Sequence, residues 1–511
     1  MKKISSICIV GGGSAGWMTA SLLRRQLPPH FEISIIDPPT IPSVGVGEAT
    51  VANFGSFMEQ CGFNEAQWID EVEGIYKCGI VFEDWVKENH KIWHSFSGLQ
   101  CVEQTNSVSL HKNTSEAGDY DSFSRKCLTN YTCSVENNKV HGDVGYHLDA
   151  KKLALFLKKN TGGVKIFEEA VEKVEHTDSE IEGVLLKDGT KIKADLFVNC
   201  TGWSSVFSEA TKDAKWIDRS GDMPVNIAVA APVKYVDEAL EMHPYTTAKC
   251  LDIGWMWVIP IQSRIGAGIV FNSSITSVEE AKIKFDSIWG DRRLAELDVL
   301  RWEPKFNSES WLGNVVSIGL SSGFVEPLES SGLALITGAA YSLLERIRKG
   351  FYNSTDILVH NARLTLKYEE TMDFVRLHYL NSTYASKFWS MVEEQELSES
   401  LTERISLYEK FGYSDIFLPE GVIFGEHSWV SLFEGVGVKG CFPSRLSPTD
   451  DLMTLNPHYA NNEMYRHRGK HSNFELLQMK RGVAQYGNSG QGEQRNQLSL
   501  TNHIRYTCYA T

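Results

Sequence analysis

The sequence lacks the patterns that mark membrane, nucleic-acid-binding and disulfide-rich proteins. It has no internal repeat and no apolar run of the roughly 18 residues that a membrane span needs. Its net charge of −15 disfavours nucleic acid as a partner. Ten cysteines are scattered without a CxxC pair, and Cys8 lies in a predicted core strand. We therefore expect reduced thiols, a cytoplasmic location and no membrane or nucleic-acid partner.

The start of the chain argues against a signal peptide, and its histidines argue against a metal site. A predicted strand begins at residue 4, so we expect no signal peptide. The one local metal-like spacing, His467-x3-His471, has Arg468 and Lys470 between its histidines and no cysteine or carboxylate pair beside it. A protein metal site needs more ligands than this, so we expect none.

The composition is that of a large globular protein. The chain has 511 residues, 42% hydrophobic and 23% charged, enough for two or three domains or one interwoven enzyme. Aromatic residues are plentiful, with 13 tryptophans, which suits pockets for flat ligands.

A dinucleotide-binding pattern opens the chain. Residues 4–10 predict a buried strand, and a helix is predicted to run to about residue 27. Between them lies a GxGxxG loop made of Gly11, Gly12, Gly13, Ser14, Ala15 and Gly16. A second strand ends at Asp37, about 20 residues past the glycines, where an acid can bond a ribose hydroxyl. The pattern predicts a bound dinucleotide; the alternative is a tight turn that only packs.

A second glycine-rich loop, at residues 44–50, precedes another helical stretch. Two such loops within 50 residues favour an extended cofactor lying along them, FAD rather than NAD.

Lys77 is a candidate reactive amine. A lone lysine is by default a solvated surface charge. Its neighbours Tyr76, Cys78 and Gly79 are aromatic or small rather than charged, which leaves room for a buried amine.

The stretch from Gly319 to Gly332 has the composition of a ligand site. Its small residues let a backbone approach a ligand closely, and an apolar helix is predicted after it. Ser331 and Gly332 then lie at the helix start, where free N–H groups favour an anion. Glu329 stands just before them, a carboxylate beside an anion site. The alternative is a capped loop with a solvated glutamate.

Two tryptophans, Trp255 and Trp257, lie at i and i+2 in a region of predicted sheet, residues 220–275. They therefore point to the same face of a strand. They either wall off a channel or belong to a packed sheet face.

The order of elements predicts an α/β fold with a hydroxylase-like FAD-binding core, a mixed sheet and a mostly helical C-terminal cap. A helix is predicted to begin at residues 146–149. We expect residues 1–350 to form the core and residues 351–511 the cap. Residues 100–142 are expected to form an insertion, and the Gln/Asn/Ser/Gly-rich tail at 487–502 is typical of a mobile segment.

With these residues in view, the chain resembles the flavin-dependent halogenases of the tryptophan halogenase family over roughly residues 5–390. Lys77, in a Lys-x-Gly context, matches the family's essential lysine. Three motifs carry most of the resemblance: Gly11-x-Gly13-x-x-Gly16, Trp255-x-Trp257-x-Ile259-Pro260 and Phe324-x-x-Pro327-x-x-Ser330-x-Gly332. Together they are a specific combination.

The resemblance implies an oxidative halogenation. Reduced FAD, delivered by a separate flavin reductase, and dioxygen would convert a halide bound at Ser331 and Gly332 into hypohalous acid. The acid would pass through a tunnel to Lys77, which forms a haloamine or hydrogen-bonds the acid. An electron-rich arene would attack the halogen, and Glu329 would stabilise the cationic intermediate or accept its proton.

The resemblance also implies the binding residues. Channel residues Trp255, Trp257, Ile259 and Pro260 would keep the arene away from the flavin. His94 and Phe96 would sandwich the arene, although this chain has Ser95 between them where proline is common in the family. The implied FAD positions are Gly11, Gly13, Ser14, Ala15, Gly16, Asp37, Ala49, Val171, Leu320 and Leu333.

Two other functions remain open on the sequence alone, a flavin-dependent aromatic monooxygenase and a non-catalytic FAD-binding scaffold. The substrate is equally open between a free indole, a tryptophan-like compound, another small aromatic, and a carrier- or peptide-linked group. The choice of halide and self-association into a homo-oligomer also stay open.

Overall fold

The structure is a computed structural model that describes residues 1–39, 48–96, 134–136, 139–141, 144–177, 180–411, 418–419, 421–440 and 472–480. Four expectations fall outside the described residues. These are the glycine-rich loop at 44–47, most of the insertion at 100–142, the histidine pair at 467 and 471, and the tail at 487–502.

A six-stranded sheet carries the dinucleotide pattern. Its strands are parallel except at one edge, where the last pair is antiparallel. In spatial order they are Lys165–Phe167, Glu32–Ile36, Ser6–Val10, Leu196–Asn199, Val315–Ser317 and Trp311–Leu312. The central strands are apolar on both faces, as a sheet covered on both sides requires.

A seven-stranded sheet forms the second layer and confirms the sheet predicted over residues 220–275. Its strands pair antiparallel except for one parallel pair, Thr246–Leu251 with Gly79–Glu83. In spatial order they are Asp298–Arg301, Ile227–Val233, Ile265–Phe271, Gly254–Pro260, Thr246–Leu251, Gly79–Glu83 and Lys91–Ser95.

A three-stranded sheet joins Glu48–Ala49, Gly145–Leu148 and Ile75–Lys77. The helix expected to begin at residues 146–149 was wrongly placed, because these residues end a strand and the helix begins at Ala150. The reason is local. The carboxylate of Asp149 accepts hydrogen bonds from the amides of Lys151 and Lys152 at 2.9 and 3.1 Å, so Asp149 caps the helix rather than belonging to it.

The remaining strands form small sheets: Lys2–Lys3 with Phe351–Tyr352, Val171–His176 with Ile181–Leu186 and Lys191–Ile192, Trp216–Asp218 with Lys305–Asn307, and Ser134–Glu136 with Lys139–His141. The described helices are α1 (Ser14–Gln26), α2 (Phe54–Gln60), α3 (Glu65–Trp68), α4 (Ala150–Asn160), α5 (Glu238–Glu241), α6 (Val278–Trp289), α7 (Gly332–Ile347), α8 (Ser354–Leu377), α9 (Lys387–Glu394), α10 (Glu399–Phe411), α11 (Glu426–Gly435) and α12 (Asn473–Lys480).

The helices α8 to α11 pack onto the seven-stranded sheet, and their buried aromatic residues share one apolar cluster with that sheet. Residues before and after the expected boundary at residue 350 are in direct contact. Strand Lys2–Lys3 pairs with Phe351–Tyr352, and α8 packs against α7. The helical part therefore lies in direct contact with the core.

The described cysteines are buried and form no disulfide; they are Cys8, Cys61, Cys78, Cys200 and Cys250. Burial raises the thiol pKa of Cys8 and of Cys61 to about 12, so these thiols stay protonated and unreactive. Among the described helices, none combines the length and the apolar character that a membrane crossing requires.

Candidate active site

The glycine loop and the start of α1 form an open anion-binding surface. Gly11 has a φ of +112°, and a Cβ added at Gly16 would lie 1.8 Å from the Gly11 carbonyl oxygen, so both positions require glycine. A Cβ at Gly13 would meet nothing within 4 Å. α1 begins at Ser14 with no side-chain cap and no acid in its first turn. Its free N–H groups therefore fit the pyrophosphate of a dinucleotide.

Asp37 lies against this loop, since a Cβ at Gly12 would come 1.8 Å from its Oδ1. Its Oδ2 accepts a hydrogen bond from Trp17 Nε1 at 3.1 Å and lies 2.9 Å from Lys158 Nζ. The sequence pattern predicts a role for Asp37 but not for Lys158, which is a residue of α4. The two partners hold the carboxylate at the edge of the loop.

A second segment meets the start of α1. Gly319 has a φ of +78°, and a Cβ there would lie 2.8 Å from the Cβ of Ala15, so the two backbones are close. Leu320 follows in that segment and is only half-buried. Ala49 and Leu333 are buried, whereas Val171 packs at the edge of the apolar cluster around the six-stranded sheet. Ala15 and Gly319, the residue before Leu320, are thus brought together.

The start of α7 is a second place that fits an anion. Ser331 is its N-cap residue but makes no capping hydrogen bond, and its buried Oγ has no partner among the described residues. Gly332 is exposed although both of its neighbours are buried, and a Cβ there would meet nothing within 4 Å. Free N–H groups, an unpartnered hydroxyl and open space together fit a halide.

Lys77 is a buried amine, the alternative for which its aromatic and small neighbours left room, and not the solvated charge that a lone lysine is by default. Its Nζ donates to the Thr50 carbonyl oxygen at 3.2 Å and to Ser330 Oγ at 2.9 Å. It also lies 4.9 Å from the ring centre of Phe96, within cation–π distance. Ser330 has a φ of +58°, the left-handed region that non-glycine residues rarely adopt, and this conformation accompanies the contact with the lysine.

Burial lowers the pKa of Lys77 to about 7, although the charge of Glu329 acts in the opposite direction. A large share of the Lys77 side chains therefore carries no proton near neutral pH. A neutral amine has a lone pair and can react as a nucleophile.

Glu329 is completely buried and held by two histidines. Nδ1 of His94 lies 2.9 Å from each of its carboxylate oxygens. Nε2 of His378 lies 2.7 Å from Oε1. The sequence pattern marks His94 but not His378, which lies just past the end of α8 in no recognisable motif.

Burial by itself would raise the pKa of Glu329, but the charges and hydrogen bonds of His94 and His378 together outweigh it. The pKa falls to about 2. Glu329 is therefore ionised at every working pH, and it is suited to stabilise a cation next to it.

Lys77 and Glu329, which are 252 positions apart in the sequence, are brought together by the turn before α7. Ser330 binds the amine and is the next residue after the carboxylate. The site thus places an amine of lowered pKa beside a permanent negative charge.

We expect direct titration to give Lys77 a pKa of about 7 in the folded protein. Because the charge of Glu329 raises this pKa, Glu329→Gln should move it lower still. Side-chain NMR of protein labelled at lysine would follow the titration, with Lys77→Met to assign the signal. A Lys77 pKa at the ordinary lysine value of 10.5 would contradict the burial argument.

Aromatic rings from the helical part surround His94. Phe374 and Phe424 stack with ring centres 4.2 Å apart, and they lie 5.5 and 5.9 Å from the His94 ring. Trp429 packs edge-on against Phe374 at 5.2 Å. The expected pair of His94 and Phe96 meets edge-on at 6.5 Å. Flat apolar surfaces therefore border the carboxylate, as an arene site requires.

The two tryptophans of strand Gly254–Pro260 lie side by side on one face, with ring centres 6.2 Å apart. A Cβ at Gly268 would lie 2.2 Å from the Trp257 ring, so that ring lies flat on the neighbouring strand. Both rings share a core cluster with Leu328. The pair therefore belongs to the same apolar core as the turn that carries Glu329. Ile259 and Pro260 end the same strand and are also buried.

Across the described ranges, no group of three or more His, Cys, Asp or Glu side chains has an arrangement that could hold a metal ion.

Comparison with known proteins identifies close similarity over most of the chain. The profile of a protein family described as tryptophan halogenase matches residues 6–454. Tryptophan 7-halogenase RebH from Lentzea aerocolonigenes is 32% identical over 435 residues, which cover 80% of this chain and 82% of that protein.

Solved structures of flavin-dependent halogenases are also similar to this chain. Xcc4156, a flavin-dependent halogenase from Xanthomonas campestris, superposes with a TM-score of 0.83 at 27% identity, over 93% of this chain and 98% of that one. The tryptophan 6-halogenase SttH from Streptomyces toxytricini superposes with a TM-score of 0.82 at 27% identity, over 93% and 99% of the two chains.

Proposed function

This chain belongs to the tryptophan halogenase family of flavin-dependent enzymes, and from that we propose that it halogenates an electron-rich arene such as an indole or a tryptophan-like compound. The observation that carries the proposal is the buried contact between Lys77 and the turn of Glu329, which joins an amine and a carboxylate in one aromatic-walled site.

Reduced FAD, when bound, would supply two electrons that activate dioxygen, and dioxygen is the oxidant that would turn halide into hypohalous acid. The glycine loop and the free N–H groups of α1 hold its pyrophosphate, and Ala15 and Leu320 lie where the two cofactor-binding segments meet. Because the sequence has no second nicotinamide-type fingerprint, we propose that a separate flavin reductase delivers the reduced cofactor.

Ser331 and Gly332 bind the halide in this proposal. The halide accepts hydrogen bonds from the first N–H groups of α7 and from Ser331 Oγ, which otherwise has no partner among the described residues. The halide is then held next to the turn that carries Ser330 and Glu329.

Lys77 acts on the hypohalous acid in one of two ways. In the first, the neutral amine attacks the halogen of the hypohalous acid, so that an N–X bond forms, the O–X bond breaks and water leaves. In the second, Lys77 donates a hydrogen bond to the acid and makes its halogen more electrophilic. The lowered pKa of Lys77 supports the first route near neutral pH.

Glu329 acts on the arene. When a ring carbon attacks the halogen, the ring becomes a cation, and the permanent negative charge of Glu329 stabilises it. The carboxylate then accepts the proton from that carbon. A pKa of about 2 does not prevent this step, because such a cation is a much stronger acid than a carboxylic acid.

The function is tested by incubating the purified protein with reduced FAD, bromide, air and a panel of indoles and phenols. We expect a bromide-dependent product whose mass shows the bromine isotope doublet, formed also when catalase removes free peroxide. A product heavier by one oxygen, or oxidation of NAD(P)H by the protein alone, would instead support the aromatic monooxygenase.

A further inference from the structure

Ser428 is a buried residue of α11 that lies opposite the strand of His94. α11 packs closely on strand Lys91–Ser95, since a Cβ added at Gly435 would come 2.5 Å from the Ile92 side chain. This packing places the Ser428 hydroxyl 2.9 Å from Nε2 of His94. Residues Ser428 and His94 are each only 3% exposed, so solvent does not compete for this contact.

The two nitrogens of His94 have different tasks. Nδ1 faces both carboxylate oxygens of Glu329 at 2.9 Å, and these oxygens can only accept, so Nδ1 carries a proton. In a neutral ring Nε2 then needs a donor, and in a charged ring it needs an acceptor. A serine hydroxyl can serve as either, so Ser428 fits both states of the ring.

The three aromatic neighbours of His94 among the described residues cannot replace this contact. Phe96, Phe374 and Phe424 border the ring and offer no polar atom within their side chains. In contrast, the second histidine on the carboxylate, His378, is anchored by main-chain atoms, because its Nδ1 lies 2.9 Å from the Phe374 carbonyl oxygen. Of the two histidines on Glu329, His94 is thus the one whose second ring nitrogen faces a side-chain hydroxyl among the described residues.

We infer that Ser428 is a positioning residue for the halogenation step, fixing the His94 ring so that an N–H group always faces Glu329. This inference rests on the proposed function. No sequence motif marks Ser428, and its role follows from a contact between residues 334 positions apart. The titratable groups that face Glu329 are His94 from its strand, His378 from the end of α8 and Lys77 from its strand.

The test uses Ser428→Ala in the FAD-reconstituted full chain, with Ser428→Thr to restore the hydroxyl. Ser342→Ala is the matched control, because Ser342 is an equally buried helix serine whose Oγ has no partner among the described residues. We expect Ser428→Ala to lower kcat about 10-fold with little change in KM, as loss of one hydrogen bond beside a reacting group does. Ser342→Ala should behave like the natural protein.

A second readout does not depend on turnover. Long-range ¹H–¹⁵N spectra of protein labelled at histidine, assigned with His94→Gln, report which His94 nitrogen is protonated. We expect the Nε2 signal to change in Ser428→Ala and to return in Ser428→Thr. Unchanged His94 signals in Ser428→Ala would overturn the inference, and so would a full kcat. A natural protein that makes no halogenated product would contradict the proposed function alone.

Discussion

Replacing Lys77 by methionine is expected to abolish halogenation while FAD binding is kept. Methionine has a similar length and an apolar stem, so it fits the fully buried position without the amine. Loss of the group that receives the oxidant should reduce kcat by about 1,000-fold or more. FAD binding, followed by the flavin fluorescence, should be unchanged, because the glycine loop lies on another segment.

The matched control for this substitution is Lys367→Met. Lys367 lies on α8, and its Nζ donates to the Gly421 carbonyl oxygen. Burial lowers the pKa of Lys367 too, with the charge of Arg363 acting in the same direction. Lys367 is thus a partly buried lysine of lowered pKa that lies outside the described site, whereas Lys77 is fully buried. Halogenated product from Lys77→Met at the rate of Lys367→Met would refute the role of Lys77.

Glu329→Gln is expected to reduce kcat by about 100- to 1,000-fold, the size seen when a preorganised charge-stabilising group is removed. The amide keeps the shape of the side chain but provides neither the negative charge for the ring cation nor a base for its proton. Because Glu329 is ionised at every working pH, the loss should not vary with pH above neutrality, where Lys77 is already largely neutral.

Glu326→Gln is the control within the same turn. Burial raises the pKa of Glu326 to about 8, against the effects of its contacts with Tyr379, Trp255 and Arg376, so this carboxyl group is largely neutral at pH 7. An amide is close to it in charge and shape and can still accept the hydrogen bond from Tyr379. We expect Glu326→Gln to stay within a fewfold of the natural protein in kcat. Equal losses in the two variants would show that the turn, and not the charge of Glu329, is required.

Much of the fold was predictable because its signals are local. Gly11 is required by its positive φ and Gly16 by a close backbone contact. Because only glycine fits such positions, the turn can be predicted from the residue types alone. The alternating pattern around Trp255 and Trp257 likewise gave the strand and the shared face. The misplaced helix start at residues 146–149 shows the limit, since one capping carboxylate decides between strand and helix there.

The sequence by itself determined the strand–loop–helix that fits a dinucleotide, the candidate amine Lys77 and the carboxylate Glu329, because periodicity, glycine and motif spacing are properties of short segments. Only the tertiary structure decided what surrounds that carboxylate. His378 and Ser428 come from helices far along the chain, and burial rather than residue type sets the pKa of Lys77. Such contacts form when distant surfaces pack together, and no local pattern records them.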